Sequence, residues 1–277
     1  MNFAIHAALW NRTWADDVAP FVRAAADLGF DAVEVSLLGD EAGFARVAQV
    51  AREAGVRLTC TTGLAAATDV GSADPDVRAA GRAALERAVR SAETLGSRLL
   101  AGVVYGAWGV VDPDRREERL AYAAEALAAV APAAADAGVT IAVEAINRYE
   151  TDLINTADQA LALVSAIGAP NVGVLMDAYH MNIEEKDPAA ALRRCGDRLV
   201  HVHVAGRGRG VPEAATLEAF GLREALRDVR YQGTITCEMF VQAHLPVSRD
   251  LTVWRAIEPD PTDAARRALA ALRAWWG

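Results

Sequence analysis

The sequence predicts a single (β/α)8 barrel, and three observations carry that prediction. Short β-branched runs alternate with amphipathic, Ala- and Arg-rich stretches along the whole 277-residue chain. Eight such strand–helix units follow one another without interruption, in a chain slightly longer than the ~250 residues usual for that fold. No strand is followed by a GxGxxG fingerprint or a phosphate loop, so the alternative, an open doubly wound sheet holding a nucleotide, is not called for. No linker rich in Pro, Gly or Ser divides the chain, and residues 1–277 are expected to form one domain.

The units run in order. Strand Phe3–Ala7 precedes helix Asp17–Leu28, which stops at Gly29, a residue suited to a left-handed cap, with strand Ala32–Ser36 directly behind it. Helix Glu41–Ala54 stops in the same way at Gly55 before strand Val56–Thr61. Helix Asp76–Leu95 leads to strand Arg98–Val104, and helix Arg115–Ala137 ends at Gly138 before strand Thr140–Glu144. The run Thr140-Ile141-Ala142-Val143 is near-continuously apolar, as befits a parallel strand covered by helices on its outer face. Thr156 offers an N-cap to helix Thr156–Ile167, and strand Val172–Met176 follows. Asp187 caps helix Pro188–Cys195 ahead of strand Leu199–Val204. Helix Leu217–Val229, strand Thr234–Glu238 and helix Pro261–Trp275 complete the set.

Composition excludes several classes of function. With 53% hydrophobic and 23% charged residues the chain can build a core. Its net charge of -9 and isoelectric point near 5.1 repel nucleic acid and anionic membranes, so neither is an expected partner. Cys60, Cys195 and Cys237 are odd in number and widely spaced, which fits thiols packed as small hydrophobes in a reducing compartment. The segment Met1–His6 lacks the basic start and long apolar stretch of a signal peptide. No apolar run reaches the ~18 residues of a membrane helix. The expected location is therefore cytoplasmic.

In a barrel the chemistry sits where strands end. The fifth strand ends at Glu144, the sixth at Asp177, the seventh with His201-Val202-His203 and the eighth at Glu238. Taken singly each has a bland reading, as a loop acid, a turn cap or a core histidine. Together, on neighbouring strands, they converge on one point at the mouth. Three carboxylates brought together repel one another unless a cation sits between them. Glu144, Asp177, His203 and Glu238 are therefore the expected ligands of a divalent metal. One imidazole with three carboxylates is a hard set, which favours Mn²⁺ first, with Mg²⁺ or Co²⁺ as alternatives. His201 lies two residues from His203, on the same side of the strand, and is expected one layer deeper as support.

Glu144 and Glu238 come from strands three apart and can approach a substrate from opposite sides. If a ketose chelates the metal through its carbonyl and an adjacent hydroxyl, the neighbouring C–H becomes acidic and an enediolate forms. One carboxylate then removes the proton and the other returns one to the opposite face, which is epimerisation without an organic cofactor. The flanking residues suit a polyol. Asn147, Arg148 and Glu150 follow Glu144, His180 follows Asp177, and Arg209 lies in the glycine-rich loop after His203. Arg148 reads better as a structural salt bridge, whereas Trp10, Trp14, Trp108 and His6 are candidates for the pocket wall.

The segments Glu144-Ala145-Ile146-Asn147-Arg148-Tyr149-Glu150-Thr151 and Asp177-Ala178-Tyr179-His180-Met181-Asn182-Ile183-Glu184-Glu185 closely resemble the D-tagatose 3-epimerase family, also called ketose or D-psicose 3-epimerases, among the xylose isomerase-like TIM barrels. The resemblance runs from Trp10 and Trp14 through Leu28-Gly29-Phe30-Asp31 to Val253-Trp254-Arg255. It implies a metal on Glu144, Asp177, His203 and Glu238, with Glu144 and Glu238 doubling as the acid/base pair at C3. It implies that Glu150, His180 and Arg209 hold the ketose oxygens, and that the protein forms a homodimer or homotetramer. The loop Val204–Ala214 departs from the family pattern beyond Arg209, and His6 stands where relatives often carry an aromatic. Both departures bear on which ketose is preferred: D-tagatose, D-fructose, D-psicose or L-ribulose.

The rival readings are aldose–ketose or hydroxypyruvate isomerisation, or inosose-type isomerisation or dehydration, on the same barrel, and a non-catalytic sugar-binding barrel. A DNA-repair endonuclease of this barrel class would need several zinc ions, which five histidines and the acidic charge argue against.

Overall fold

The computed structural model describes residues 1–39 and 41–277 and contains a closed barrel of eight parallel strands, each bonded to its sequence neighbour and the eighth to the first. The strands are β1 (Asn2–His6), β2 (Ala32–Ser36), β3 (Arg57–Leu64), β4 (Leu99–Ala107), β5 (Thr140–Ala145), β6 (Val172–Asp177), β7 (Leu199–Val204) and β8 (Thr234–Cys237). Every strand expected from the sequence is present. The glycine stops also act as anticipated: Gly29 and Gly55 take φ of 92° and 71°, and their N–H groups bond back to carbonyls of the last helical turn.

The helical layer differs from expectation in two ways. The predicted helix Leu217–Val229 is two shorter helices, Ala214–Ala219 and Leu222–Asp228, separated at Gly221, whose φ is 64°. The strand–helix rhythm is also interrupted, since short helices Ala178–Glu184 and Pro246–Asp250 follow β6 and β8 before the outer helices begin. Both sit at the mouth of the barrel. The C-terminal helix Pro261–Trp276 starts on an Asp260 cap, whose side chain accepts from Thr262 N and Asp263 N. It buries Leu269, Leu272 and Trp275 and closes the ring over β1, each large side chain contributing roughly 1.5–3 kcal/mol.

Alternation along each strand sorts the side chains. Ile5, Val33, Val35, Val143, Val174, Val202 and Ile235 join the main core beneath the helices. The opposite parity points into the barrel, where Leu99, Ala101, Ala142 and Leu175 form a separate small cluster. Two residues further along β5 and β6, the same inward positions are Glu144 and Asp177. The barrel interior therefore changes from apolar to ionisable toward the C-terminal ends of its strands. Register fixes the neighbours: Asp177 pairs with His203, His203 with Thr236 and Glu34 with Thr59.

β3 and β4 run three residues past their predicted ends because their pairing slips and resumes. Gly63 opposes Val103, whereas Leu64 opposes Ala107. The slip starts beside Gly102, at φ 118°, where a side-chain Cβ would overlap the Thr62 carbonyl oxygen. It ends with Trp108 N–H donating to Leu64 O at 2.9 Å, which turns Trp108 toward the mouth. Gly102→Ala should thus lower stability by about 2–4 kcal/mol in urea unfolding, and a loss under about 0.5 kcal/mol would show that the backbone relaxes there freely.

Candidate active site

β5, β6, β7 and the residue after β8 bring Glu144, Asp177, His203 and Glu238 together, with one candidate ligand atom from each lying within 4.8 Å of the others. His203 Nδ1 is 3.9 Å from Glu144 Oε1 and 3.7 Å from Glu238 Oε1. Asp177 divides its oxygens: Oδ1 accepts from Tyr179 N at 2.9 Å and caps the short helix, while Oδ2 has no hydrogen-bond partner. His203 Nδ1 is likewise unpartnered. Buried polar atoms normally find partners, so Asp177 Oδ2 and His203 Nδ1, left without hydrogen bonds beside the Glu144 and Glu238 carboxylates, mark a place for a cation. The donor set, three carboxylates and one imidazole, fits a hard divalent metal.

The electrostatics agree. Burial, then repulsion from Glu238 and Asp177 against the attraction of His203, holds Glu144 well above the usual carboxylate range. Burial and Glu238 push Asp177 up to about 6. Burial alone would depress His203, but Glu34, Glu238 and Glu144 override it and raise its proton affinity well above the ordinary histidine value, so a cation that takes Nδ1 must displace a proton held there.

Around this cluster a chain of hydrogen bonds joins four loops. Arg209 Nη1 donates to Glu238 Oε2 at 2.9 Å and Nη2 to Glu150 Oε1 at 3.3 Å. Its guanidinium lies 4.3 Å from the Tyr179 ring centre and 5.3 Å from that of Phe240. Arg209 holds this position at φ 69°, strained for a non-glycine residue, in a loop closed by Gly206 N–H on Gly210 O at 2.8 Å. Glu150 Oε2 accepts from Trp108 Nε1 at 2.9 Å, and Glu150 Oε1 accepts from Asn147 Nδ2 at 2.7 Å. Asn147 N–H donates to His180 Nδ1 at 3.1 Å, a shorter contact than the 3.4 Å between Arg209 Nη2 and Nε2, and this assigns the ring proton to Nε2. That nitrogen lies 3.8 Å from Asp177 Oδ2 and 4.0 Å from Glu144 Oε1. Burial, then Arg209 and His203, keep His180 neutral by lowering it well below the ordinary histidine value.

A cavity of about 650 Å³ opens over the cluster, lined among others by His6, Trp108, Glu144, Glu150, His180, Arg209 and Glu238. His6 contributes a ring edge rather than a free polar atom: Nδ1 accepts from Ala8 N–H at 3.2 Å, and Nε2 faces Thr61 Oγ1 at 2.9 Å. Trp14 lines the same cavity and bonds Asp250. Trp10 does not line it; its ring stacks on Phe21 and its Nε1–H donates to Thr262 Oγ1. Arg148 pairs with Glu184 at 2.8 Å, structural as read from the sequence.

Beneath the cluster lies a residue that the sequence reading passed over. Glu34 on β2 is fully buried; its Oε2 meets His201 Nε2 at 2.7 Å and accepts from Thr59 Oγ1 at 2.9 Å, and its Oε1 is 2.6 Å from His203 Nε2. The signal was present in Ala32-Val33-Glu34-Val35, an acid inside an apolar strand. His201 sits one layer below His203, as expected, with its ring edge-on to it at 4.9 Å.

The family model of the xylose isomerase-like TIM barrel matches residues 22–275. An L-ribulose 3-epimerase of Methylomonas sp. (strain DH-1) is 34% identical over 277 residues, covering 99% of this chain and 97% of that protein. A D-psicose 3-epimerase of Agrobacterium fabrum is 31% identical over 284 residues, covering 99% and 98%. The crystal structure of a D-allulose 3-epimerase from Methylomonas sp. in complex with D-allulose superposes with a TM-score of 0.91 at 35% identity, covering 99% of this chain and 96% of that one.

Asp177 gives a pH test on metal-free protein. Below about pH 4 its carboxyl is protonated in both folded and unfolded chains. Above about 6 the folded state must bury the ionised form, so this group's contribution to stability falls as pH rises through that window. Compared with wild type, Asp177→Asn should gain roughly 2–3 kcal/mol between pH 4 and 7 in urea unfolding of EDTA-treated protein; parallel pH curves would refute it.

Proposed function

Because the chain belongs to the xylose isomerase-like TIM barrel family, in the branch of the ketose 3-epimerases, we propose that it epimerises a free ketose at C3, with residues 1–277 acting as one catalytic domain. The observation that carries this reading is the pairing of two carboxylates, Glu144 and Glu238, with two orphaned ligand atoms at one barrel mouth. The proposed metal ligands are Glu144, Asp177, His203 and Glu238, with Mn²⁺ first among the ions and Mg²⁺ or Co²⁺ as alternatives. A divalent ion bound there supplies positive charge that stabilises the oxyanion developing at the ketose carbonyl.

The side chains do the rest. His180 donates Nε2–H to a substrate oxygen beside the carbonyl, and Arg209 donates to a neighbouring hydroxyl. Glu150 holds Arg209 in place and accepts from a hydroxyl on the same side. With the substrate so oriented, Glu144 or Glu238 takes the C3 proton, and the electron pair moves into a C2–C3 double bond, giving a cis-enediolate. The carboxyl group on the opposite face, which starts the turnover protonated, gives its proton to C3, and the double bond collapses to the carbonyl with inverted configuration. The handedness of the ketose decides which carboxylate removes and which returns the proton. Trp108, His6 and Phe240 close the cavity wall and limit access of water to the enediolate. The reading extends to a cytoplasmic homodimer or homotetramer; among the described residues no helix is long and apolar enough to cross a membrane.

Proton NMR in D₂O with a panel of free ketoses tests the reaction. Deuterium at C3 together with the C3 epimer supports the proposal. Deuterium at C1 with an aldose product identifies an isomerase, and absence of exchange in the Mn²⁺-loaded protein points to a binding barrel. Glu238→Gln should lower kcat by about 10²–10⁴-fold while the protein still binds Mn²⁺, and near-normal turnover would sink the two-base mechanism. Treatment with EDTA should abolish turnover, and added Mn²⁺, Mg²⁺ or Co²⁺ should restore it.

A further inference from the structure

Glu34 is an ionisable group with no place in the reaction just described. It is fully buried on β2, opposite His6 in the β1 register and Thr59 in the β3 register. A buried carboxylate is costly unless strongly partnered. Here each oxygen has a histidine: Oε1 lies 2.6 Å from His203 Nε2 and Oε2 lies 2.7 Å from His201 Nε2. Thr59 Oγ1 adds a donor to Oε2 at 2.9 Å, and Thr236 Oγ1 lies 3.2 Å from His201 Nε2.

An imidazole coordinates a cation only through a ring nitrogen that carries no proton, and a partner on the other nitrogen decides which one that is. An ionised carboxylate only accepts, so it draws the His203 proton to Nε2. The nitrogen left facing Glu144 and Glu238 is Nδ1, 3.9 Å and 3.7 Å from their oxygens. We propose that Glu34 is the positioning residue of the cation site, fixing the His203 ring so that Nδ1 is presented to the ion; this rests on the metal reading above. His201 takes the second oxygen and keeps the carboxylate from rotating away.

The geometry makes glutamine a sharp probe. Glutamate offers two acceptor oxygens to two N–H groups, whereas glutamine offers one acceptor and must turn an amide N–H toward His201 or His203. Facing His203, that N–H moves the ring proton to Nδ1 and closes the coordinating atom. Facing His201, it breaks the brace.

The experiment is calorimetric titration of EDTA-stripped protein with Mn²⁺, for wild type, Glu34→Gln and Glu34→Asp, with circular dichroism confirming the fold. Long-range ¹⁵N–¹H NMR of the Mg²⁺-loaded proteins reports the His203 tautomer. Glu34→Gln is expected to bind Mn²⁺ about 10–100-fold more weakly than wild type, with a loss of the Nε2-protonated His203 signal. Glu34→Asp, which keeps two acceptors, should retain more affinity than Glu34→Gln. If Glu34→Gln does not fold, Thr59→Val removes only the hydroxyl that steers Oε2. A smaller loss of affinity in that variant supports the proposal, and an unchanged affinity overturns it. Wild-type binding matched within about twofold by folded Glu34→Gln overturns the role of Glu34 alone. A wild type that binds no Mn²⁺ overturns the metal reading and this inference together.

Discussion

Like charges brought close in a buried place are the constraint around which this molecule is arranged. Glu144, Asp177 and Glu238 converge with His203 at the ends of four consecutive strands, with little solvent to screen them. In that setting burial first, and then the repulsion of each carboxylate by the next, raises the proton affinity of Glu144 and Asp177. The fold meets this repulsion on two sides. Below, the Glu34–His201–His203 layer sets a positive ring against the cluster. Above, Arg209 lies against Glu238 and Glu150, and its own charge is favoured because burial is outweighed by Glu238, Glu150 and Asp177. An open site remains between the two.

Much of this was legible in the sequence because it depends on period and position. Strand–helix alternation, glycine stops and cap residues are local signals, and they located all eight strands. The cluster followed from a topological rule, since consecutive strands of a closed parallel barrel are neighbours and their C-terminal ends share one face. What escaped was set by tertiary register. No periodicity announces that Gly63 opposes Val103 while Leu64 opposes Ala107, so the length of β3 and β4 and the aim of Trp108 were hidden. The helix Ala178–Glu184 is too short to show a hydrophobic face, and its N-cap, Asp177, was already assigned to the cluster. Glu34 was visible as an acid among apolar neighbours, but its meaning depended on His201 and His203, far away in the chain.

Two residues carry a structural task and a chemical one at once. Asp177 caps a helix with one oxygen and faces the cluster with the other. Asn147 donates through its backbone to His180 and through its side chain to Glu150, so one residue sets the orientation of two polar groups in the pocket. Such sharing fixes side chains without extra chain length, in keeping with the need to hold reacting groups within a fraction of an ångström.

The run Trp108–Glu150–Arg209–Glu238 has a consequence for how this barrel can diversify. Barrel enzymes are often regarded as modular, a constant scaffold whose loops vary independently to suit new substrates. Here the loops after β4, β5, β7 and β8 are wired in series through side chains that hydrogen-bond one to the next. A substitution in any one of them alters the partners of the others, so changes of specificity combine non-additively. Loop exchange one segment at a time therefore meets strong epistasis on this half of the mouth.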